Sequence, residues 1–131
     1  MMSGWYGRVL RGSASVLGAA NDIVDLGAFA AGSFALTDAE ALTVKGDVDT
    51  GSGTLSLKTN VGNIAIDGSL TGGTVDLTAA AKATEKSSGA IIANLLNVTA
   101  DTGITLTSTH NDITNIGTDQ TNTGPNRINK S

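Results

Sequence analysis

Short alternating runs of apolar and polar residues recur along most of the chain. Apolar residues flank a small or polar residue at positions 34–36, 42–44, 55–57, 64–66, 75–77, 96–98 and 104–106. Such a period of two is typical of a half-buried β-strand. Gly, Asn, Asp, Ser and Thr fill the segments between these runs and favour turns. The pattern therefore predicts many short strands joined by tight turns.

The spacing of these runs predicts how the strands are arranged. One series of apolar residues advances by 20, 21 and 20 positions, through Leu55, Val75, Leu96 and Ile116. A second series, Val44, Ile64 and Ile104, advances by 20 and then 40. A fixed step of this kind is typical of a solenoid, in which stacked coils about 4.8 Å apart bury apolar ladders. We therefore predict an all-β fold, a parallel β-helix with about 20 residues per coil. An antiparallel sandwich and a small barrel remain as alternatives.

A pair of similar seven-residue segments supports a repeated architecture. The segment NDIVDLG at 21–27 returns as NDITNIG at 111–117, offset by 90 residues. The isoleucine, the second apolar residue and the glycine keep their places. This conservation of apolar positions indicates a larger duplicated module.

The pattern divides the chain into three parts. Residues 1–20 lack the alternation, contain Trp5 and Tyr6, and are expected to be irregular or to form a short helix. Residues 21–117 hold the β-helix repeats. Residues 118–131 are polar, include the only proline, Pro125, and are expected to be disordered. The segment 79–90 has helical propensity, but in the repeat it should be a coil with Thr84, Glu85 and Lys86 facing outward.

Composition narrows the possible functions. The chain has 131 residues, a net charge of −4, 3% aromatic residues and no cysteine. Without a basic face, nucleic acid binding is not expected. Without cysteine, disulfides, thiol catalysis and cysteine-ligated zinc are excluded. No apolar run is long enough to span a bilayer, so membrane insertion by this chain is not expected. The sequence also shows no clear signal peptide.

One motif resembles the active site of an aspartic protease. Asp49-Thr50-Gly51-Ser52 follows the apolar Val48, and a homodimer would supply the second aspartate that such catalysis needs. Asn115-Ile116-Gly117 is a poor match to the motif that supports such a site. Asp-Thr-Gly also recurs at 101–103, again ahead of an alternating run, which favours a turn of the repeat over catalysis.

Other candidate sites are weaker still. Asp47 and Asp49 suggest a calcium loop, but Lys58 stands where an EF-hand requires Glu. His110 is the only histidine and is expected to be a solvated turn residue. Asn97 begins a glycosylation sequon inside a predicted strand, and the threonine rank around Thr105 is too broken for ice binding. We therefore predict no catalytic, metal or cofactor-binding residues and no cofactor.

The segment 68–118 resembles the repeats of filamentous-haemagglutinin-like exoproteins and autotransporter adhesins. The resemblance lies in GTVDLTA at 73–79, GAI at 89–91, LNVTA at 96–100, TGITLT at 102–107 and the Asn111–Thr118 region, and FALTDAEALTVKGDV at 34–48 is similar to another part of these repeats. It covers roughly residues 21–118. The resemblance implies a right-handed parallel β-helix, exported by a two-partner or autotransporter route.

The same resemblance implies an adhesive role without catalysis. The chain would be a segment of a surface-exposed or secreted bacterial adhesin that contacts a receptor, either a glycan or a protein. Two alternatives remain open: a retropepsin-like aspartic protease using Asp49, Thr50 and Gly51, and a non-functional truncated fragment of an adhesin gene. In a fragment, exposed coil ends would associate with one another.

Overall fold

The computed structural model describes residues 14–21, 25–27 and 29–130. This part of the chain consists of strands and turns, with no helix. It forms a parallel β-helix of about five turns, about 21 residues apart, as the sequence predicts. The antiparallel sandwich is wrong because paired strands run parallel throughout, and the barrel is wrong because neither sheet closes on itself.

The strands form two sheets that share one core. Sheet 1 contains β1 (Ala14–Asn21), β3 (Phe29–Ala30), β4 (Ser33–Asp38), β6 (Asp47–Asp49), β7 (Thr54–Thr59), β9 (Ser69–Ala79), β11 (Ala90–Ala100) and β13 (Asp112–Thr121). Sheet 2 contains β2 (Asp25–Leu26), β5 (Leu42–Val44), β8 (Ile64–Ile66), β10 (Lys82–Glu85), β12 (Gly103–Leu106) and β14 (Asn126–Ile128).

Each turn of the β-helix has three sides, and strand β9 shows how they connect. Its first residues, Ser69–Thr71, pair with β6, and the segment from Thr74 onward pairs with β7. The chain then turns into β10, which pairs with β8 in sheet 2. We call these the first, second and third sides, and the bend between the first two the first corner.

The second side confirms the first ladder predicted from sequence. Phe34 pairs with Leu55, and the ladder continues through Val75, Leu96 and Ile116. The side chains of the first four are buried. Each strand alternates inward and outward residues, as the burial of alternate residues in Thr54–Thr59 illustrates. Apolar burial of this kind contributes roughly 1.5–3 kcal/mol for each large side chain.

The second predicted ladder is in the wrong register. Ile64 and Ile104 do share a ladder, but their partner in β5 is Leu42, whereas Val44 pairs with Ile66. The small Ala83 fills the place between Ile64 and Ile104. The third side thus advances by 22, 19 and 21 residues, because the corners that flank it differ in length.

The predicted boundaries also need correction. Residues 1–13 lie outside the described residues, but Ala14–Asn21 forms a strand rather than an irregular or helical segment. The polar tail continues β13 to Thr121 and adds β14, so the expected disorder at 118–130 is wrong. These polar residues show no apolar alternation. Backbone pairing with β11 and β12 holds them in strands instead.

The two similar segments that begin with Asn-Asp-Ile do not occupy equivalent positions in the β-helix. Asp25 and Leu26 belong to β2 in sheet 2 and pair with β5. Their counterparts Asn115 and Ile116 belong to β13 in sheet 1 and pair with β11. The two segments occupy different sides of the β-helix, so the prediction of a duplicated 90-residue module is wrong.

Candidate functional site

The Asp-Thr-Gly motif at 49–51 forms the first corner between β6 and β7. Asp49 is exposed, and its Oδ1 accepts a hydrogen bond of 2.7 Å from the backbone N–H of Gly51. Gly51 has a φ of 60°, which favours glycine. Thr50 is buried, and its hydroxyl lies 3.2 Å from the carbonyl of Thr71 in the next turn and 3.3 Å from that of Gly53. Each member of the motif thus fixes the corner.

The second Asp-Thr-Gly motif occupies a different corner. Asp101 and Thr102 join β11 to β12, between the second and third sides, and the Asp101 carboxylate accepts a hydrogen bond of 3.0 Å from Asn122. The two motifs therefore share a turn-forming role but not a repeat position. The proposed support motif at 115–117 includes Ile116, which belongs to the second-side ladder in β13.

The candidate calcium ligands lie on the outer surface of β6. Asp47 and Asp49 are exposed on either side of the buried Val48. One oxygen of Asp49 already accepts the hydrogen bond from Gly51. Within the described residues, no group of three or more His, Cys, Asp or Glu side chains is placed to hold a metal ion. Two carboxylates on one strand are fewer ligands than calcium takes in proteins.

The carboxylate of Glu85 enters the apolar interior. Glu85 pairs with Ile66 in β8, and the pairing of Thr84 with Thr105 sets Glu85 in register with Leu106 in β12. The predicted outward orientation is therefore correct for Thr84 and Lys86 but wrong for Glu85. Lys86 lies on the surface, 3.4 Å from the Asp67 carboxylate.

Glu85 belongs to a polar cluster with Ser108, His110 and Asn111, which we call the corner cluster. Glu85 Oε1 accepts hydrogen bonds from the Ser108 backbone N–H at 3.0 Å and from Asn111 Nδ2 at 2.9 Å. Its Oε2 is buried and has no hydrogen-bond partner among the described residues. Burial raises the pKa of Glu85 above its usual value, against the opposing effects of these two hydrogen bonds and of His110.

Asn111 connects the cluster to β11, to β12 and to Asn129, the residue that follows β14. Its Oδ1 accepts a hydrogen bond of 2.8 Å from the Ile91 backbone, in the place where a strand carbonyl would pair. Its Nδ2 lies 3.1 Å from the carbonyl of Asn129 and 3.4 Å from that of Leu106. Since Asn111 is buried, these bonds satisfy backbone groups that water does not reach.

The serine and histidine of the cluster are in contact but are not arranged for nucleophilic catalysis. His110 Nδ1 lies 3.3 Å from Ser108 Oγ and 3.0 Å from the carbonyl of Ser87. A carbonyl only accepts, so Nδ1 carries the proton and donates it to Ser87. Ser108 Oγ is buried and donates to the Gly89 carbonyl at 2.6 Å. The serine proton therefore has no base within this pair. His110 is exposed in its turn, as predicted, but is also bonded there.

The surface contains a groove at the first corner, with a volume of about 260 Å³. We call it the corner groove. Gly72 and Gly73 line it together with Gly51 and Ser52 of the preceding turn and with residues of the two following turns. Its other side chains come from the outer surface of sheet 1, namely Thr71, Ile92, Asn94, Asp112 and Thr114. Ile92 is 41% exposed, in an outward position that Thr71 and Asp112 occupy in the neighbouring turns.

Comparisons with known proteins do not assign a family to this fold. No family model, curated protein or solved structure matches the chain. Among the described residues, no helix has the length and apolar character required to cross a membrane.

Sequence reasoning missed both the corner cluster and the corner groove. The alternation in Lys82–Glu85 contained a signal for the cluster, because Ala83 faces inward and Glu85 lies two residues later. Asn111 gave no such signal, since its polar neighbours resemble any turn. The groove depends on which corner residues are stacked, and that follows only from the correct register.

Proposed function

We propose that this chain is a structural and adhesive segment of a surface-exposed or secreted bacterial adhesin, without catalytic activity. The observation that supports this most is the contrast between the two faces of each strand. On the second side the inward ladder from Phe34 to Ile116 is apolar throughout, whereas the outward ladder beside it runs through Ala35, Ser56, Asp76, Asn97 and Thr118. Such a stack presents a varied surface on a regular rod.

The outward face is also held in place by side-chain bonds. Asn97 donates a hydrogen bond of 2.7 Å to the Asp76 carboxylate and accepts one of 2.9 Å from the Thr118 backbone. These bonds join three successive turns on the outer surface of the second side. A partner would therefore meet an ordered surface and would pay little entropy for ordering it. The resemblance of residues 68–118 to adhesin repeats favours the same role.

A bead-retention assay tests this proposal. Beads coupled to the chain are incubated with cultured epithelial cells, with Gram-negative bacteria and with glass, and retained beads are counted. The control is Leu77→Asp, which places a charge in the buried second-side ladder while the outward residues stay unchanged. We expect several-fold greater retention of the folded chain than of the control on at least one surface.

Two outcomes would contradict the proposal. Equal retention of the chain and of Leu77→Asp on all three surfaces would favour a non-functional fragment. Cleavage of peptides at pH 4–6 that is lost in Asp49→Ala would favour an aspartic protease.

A further inference from the structure

We propose that the corner groove binds one neutral, hydroxyl-rich ring, a single sugar unit of a glycan. This inference rests on the proposed adhesive function and assigns it a site. The volume of the corner groove, about 260 Å³, lies just below the range of about 300–1,000 Å³ for pockets that bind drug-sized ligands. A groove of this size fits one small ring.

At one end of the groove, two glycines lie against a longer loop. The first corner has four residues, 50–53, between β6 and β7, but only Gly72 and Gly73 at the same place in the next turn. A side chain at Gly73 would collide with the Ser52 carbonyl, and one at Gly72 would approach the Thr50 hydroxyl to 2.8 Å. The two glycines thus let the longer loop pack closely on the next turn, and the groove lies beside this contact, lined by Ser52 on one side and Asn94 on the other.

The polar side chains beside this contact are not used to hold the fold. Within the described part of the chain, Asn94, Asp112 and Thr114 form no side-chain hydrogen bond or ion pair. Several other asparagines on the β-helix are bonded to neighbouring turns. Asn63, for example, accepts a hydrogen bond of 2.9 Å from the Lys82 backbone, and Asn97 bonds to Asp76. The groove therefore offers a carboxylate, an amide and a hydroxyl to a ligand.

These groups select the chemical class of the ligand. Asp112 only accepts hydrogen bonds when ionised, Asn94 both donates and accepts, and Thr114 does the same. Neighbouring hydroxyls on a sugar ring match such a set, and the exposed Ile92 offers an apolar surface to the C–H face of the ring. No lysine or arginine side chain lines the described groove, so an anionic ligand would meet an uncompensated Asp112. A cation would find one carboxylate and no aromatic ring.

The affinity for a single ring should be low. A ring contributes few atoms, and each contributes a small share of the binding free energy, so we expect a dissociation constant on the order of 1–10 mM. Repeated contacts along a fibre, or several fibres on one cell, would raise the overall avidity.

Ligand-observed NMR on the folded chain tests the inference. The probes are the methyl glycosides of glucose, galactose, mannose and N-acetylglucosamine, with sialic acid and arginine methyl ester as charged comparisons. We expect saturation transfer to at least one neutral glycoside, and at least tenfold weaker binding in Asp112→Ala and in Ile92→Ser. Matched controls are Asp119→Ala, an exposed aspartate on the same strand, and Val61→Ser, an exposed apolar residue elsewhere. Both should bind within twofold of the unchanged chain.

Several results would overturn the inference. These are absence of transfer to all four neutral glycosides, stronger binding of a charged probe, and equal binding by Asp112→Ala, Ile92→Ser and the controls. The bead assay separates this failure from that of the proposed function. Retained beads with no glycoside binding would place adhesion elsewhere on the rod, whereas glycoside binding without retention would contradict the adhesive role alone.

Discussion

The side-chain amide of Asn111 donates a hydrogen bond of 2.9 Å to the carboxylate of Glu85, which lies 26 residues earlier in the chain. This bond joins the end of β10 to the start of β13, across the bend from the third side to the first. It holds the one glutamate that occupies an apolar ladder, between Ile66 and Leu106. Only one of the two carboxylate oxygens has partners among the described residues. The fold therefore keeps an ionisable carboxyl group where an apolar side chain would fit.

Replacing Glu85 with Gln should stabilise the protein at pH 7. The substitution keeps an acceptor for Ser108 and Asn111 but removes the ionisable carboxyl group, whose second oxygen is buried without a partner. Since Glu85 is only half-buried, we expect a gain of no more than about 1 kcal/mol in the free energy of unfolding. Urea unfolding at pH 7 measures the difference. A loss of stability in Glu85→Gln would contradict this account.

The advantage of Glu85→Gln should depend on pH. Burial raises the pKa of Glu85 in the folded protein above its ordinary value of 4.5. A raised carboxyl pKa contributes stability that is fully present below the unfolded value and is lost as pH rises through the folded pKa. The free energy of unfolding of Glu85→Gln should therefore increase relative to that of the unchanged chain as pH rises from about 4.5 toward neutrality. Urea midpoints of both proteins between pH 4 and 7 test this, and a constant gap would exclude Glu85 as the cause.

Truncating Asn111 should destabilise the protein strongly. Asn111→Ala removes the partner of the Ile91 N–H and of the Asn129 carbonyl, as well as one donor to Glu85. Leaving buried polar groups unpaired costs about 1–3 kcal/mol each, so we expect a loss of about 2–4 kcal/mol in total. The matched control is Asn115→Ala, an exposed asparagine in β13, the strand that begins just after Asn111, and it should change stability by less than about 0.5 kcal/mol. Similar losses in the two variants would show that the bonds to Asn111 contribute little.

Two glycines of the first corner should respond differently to alanine. Gly73→Ala would force a side chain against the Ser52 carbonyl, and the corner would have to move, at a cost of about 1–3 kcal/mol. In Gly51→Ala the new methyl group has open space around it. Only the strain of an alanine at a φ of 60° lowers the free energy of unfolding, by about 1–2 kcal/mol. Thermal unfolding of both variants should rank Gly73→Ala as the less stable. The reverse order would mean that the first corner adapts more easily than its backbone contacts indicate.

The sequence alone predicts the second side of the β-helix well and the third side poorly. Leu55, Val75 and Leu96 are bulky, alternate with polar residues and recur at a nearly constant step, so their pairing follows from period and spacing. On the third side, the ladder from Ile64 to Ile104 passes through Ala83, whose small size hides an inward position. Unequal corners then shift the register, so spacing alone fails there.

Backbone pairing explains why the polar residues after position 117 form a strand, although their composition predicts disorder. Thr118 and Gln120 lie in β13 because the adjacent strand β11 offers N–H and carbonyl groups in register, with Asn97 and Thr99 as their partners. A polar sequence therefore forms a strand when a template lies beside it. The corner groove is hidden for a related reason. Gly72 and Asp112 become neighbours only through stacking of turns that lie 40 residues apart along the chain.

The near-constant advance between turns has a consequence for how a gene of this kind changes length. Each turn bonds only to the turns before and after it, as β9 does with β7 and β11. Gain or loss of one whole period, such as the 21 residues that separate Ser69 from its partner Ala90, restores the same inward and outward pattern. A change by an odd number of residues within a strand reverses the pattern beyond it and exposes the ladder. Recombination in whole periods would thus lengthen or shorten the rod while its cross-section stays the same.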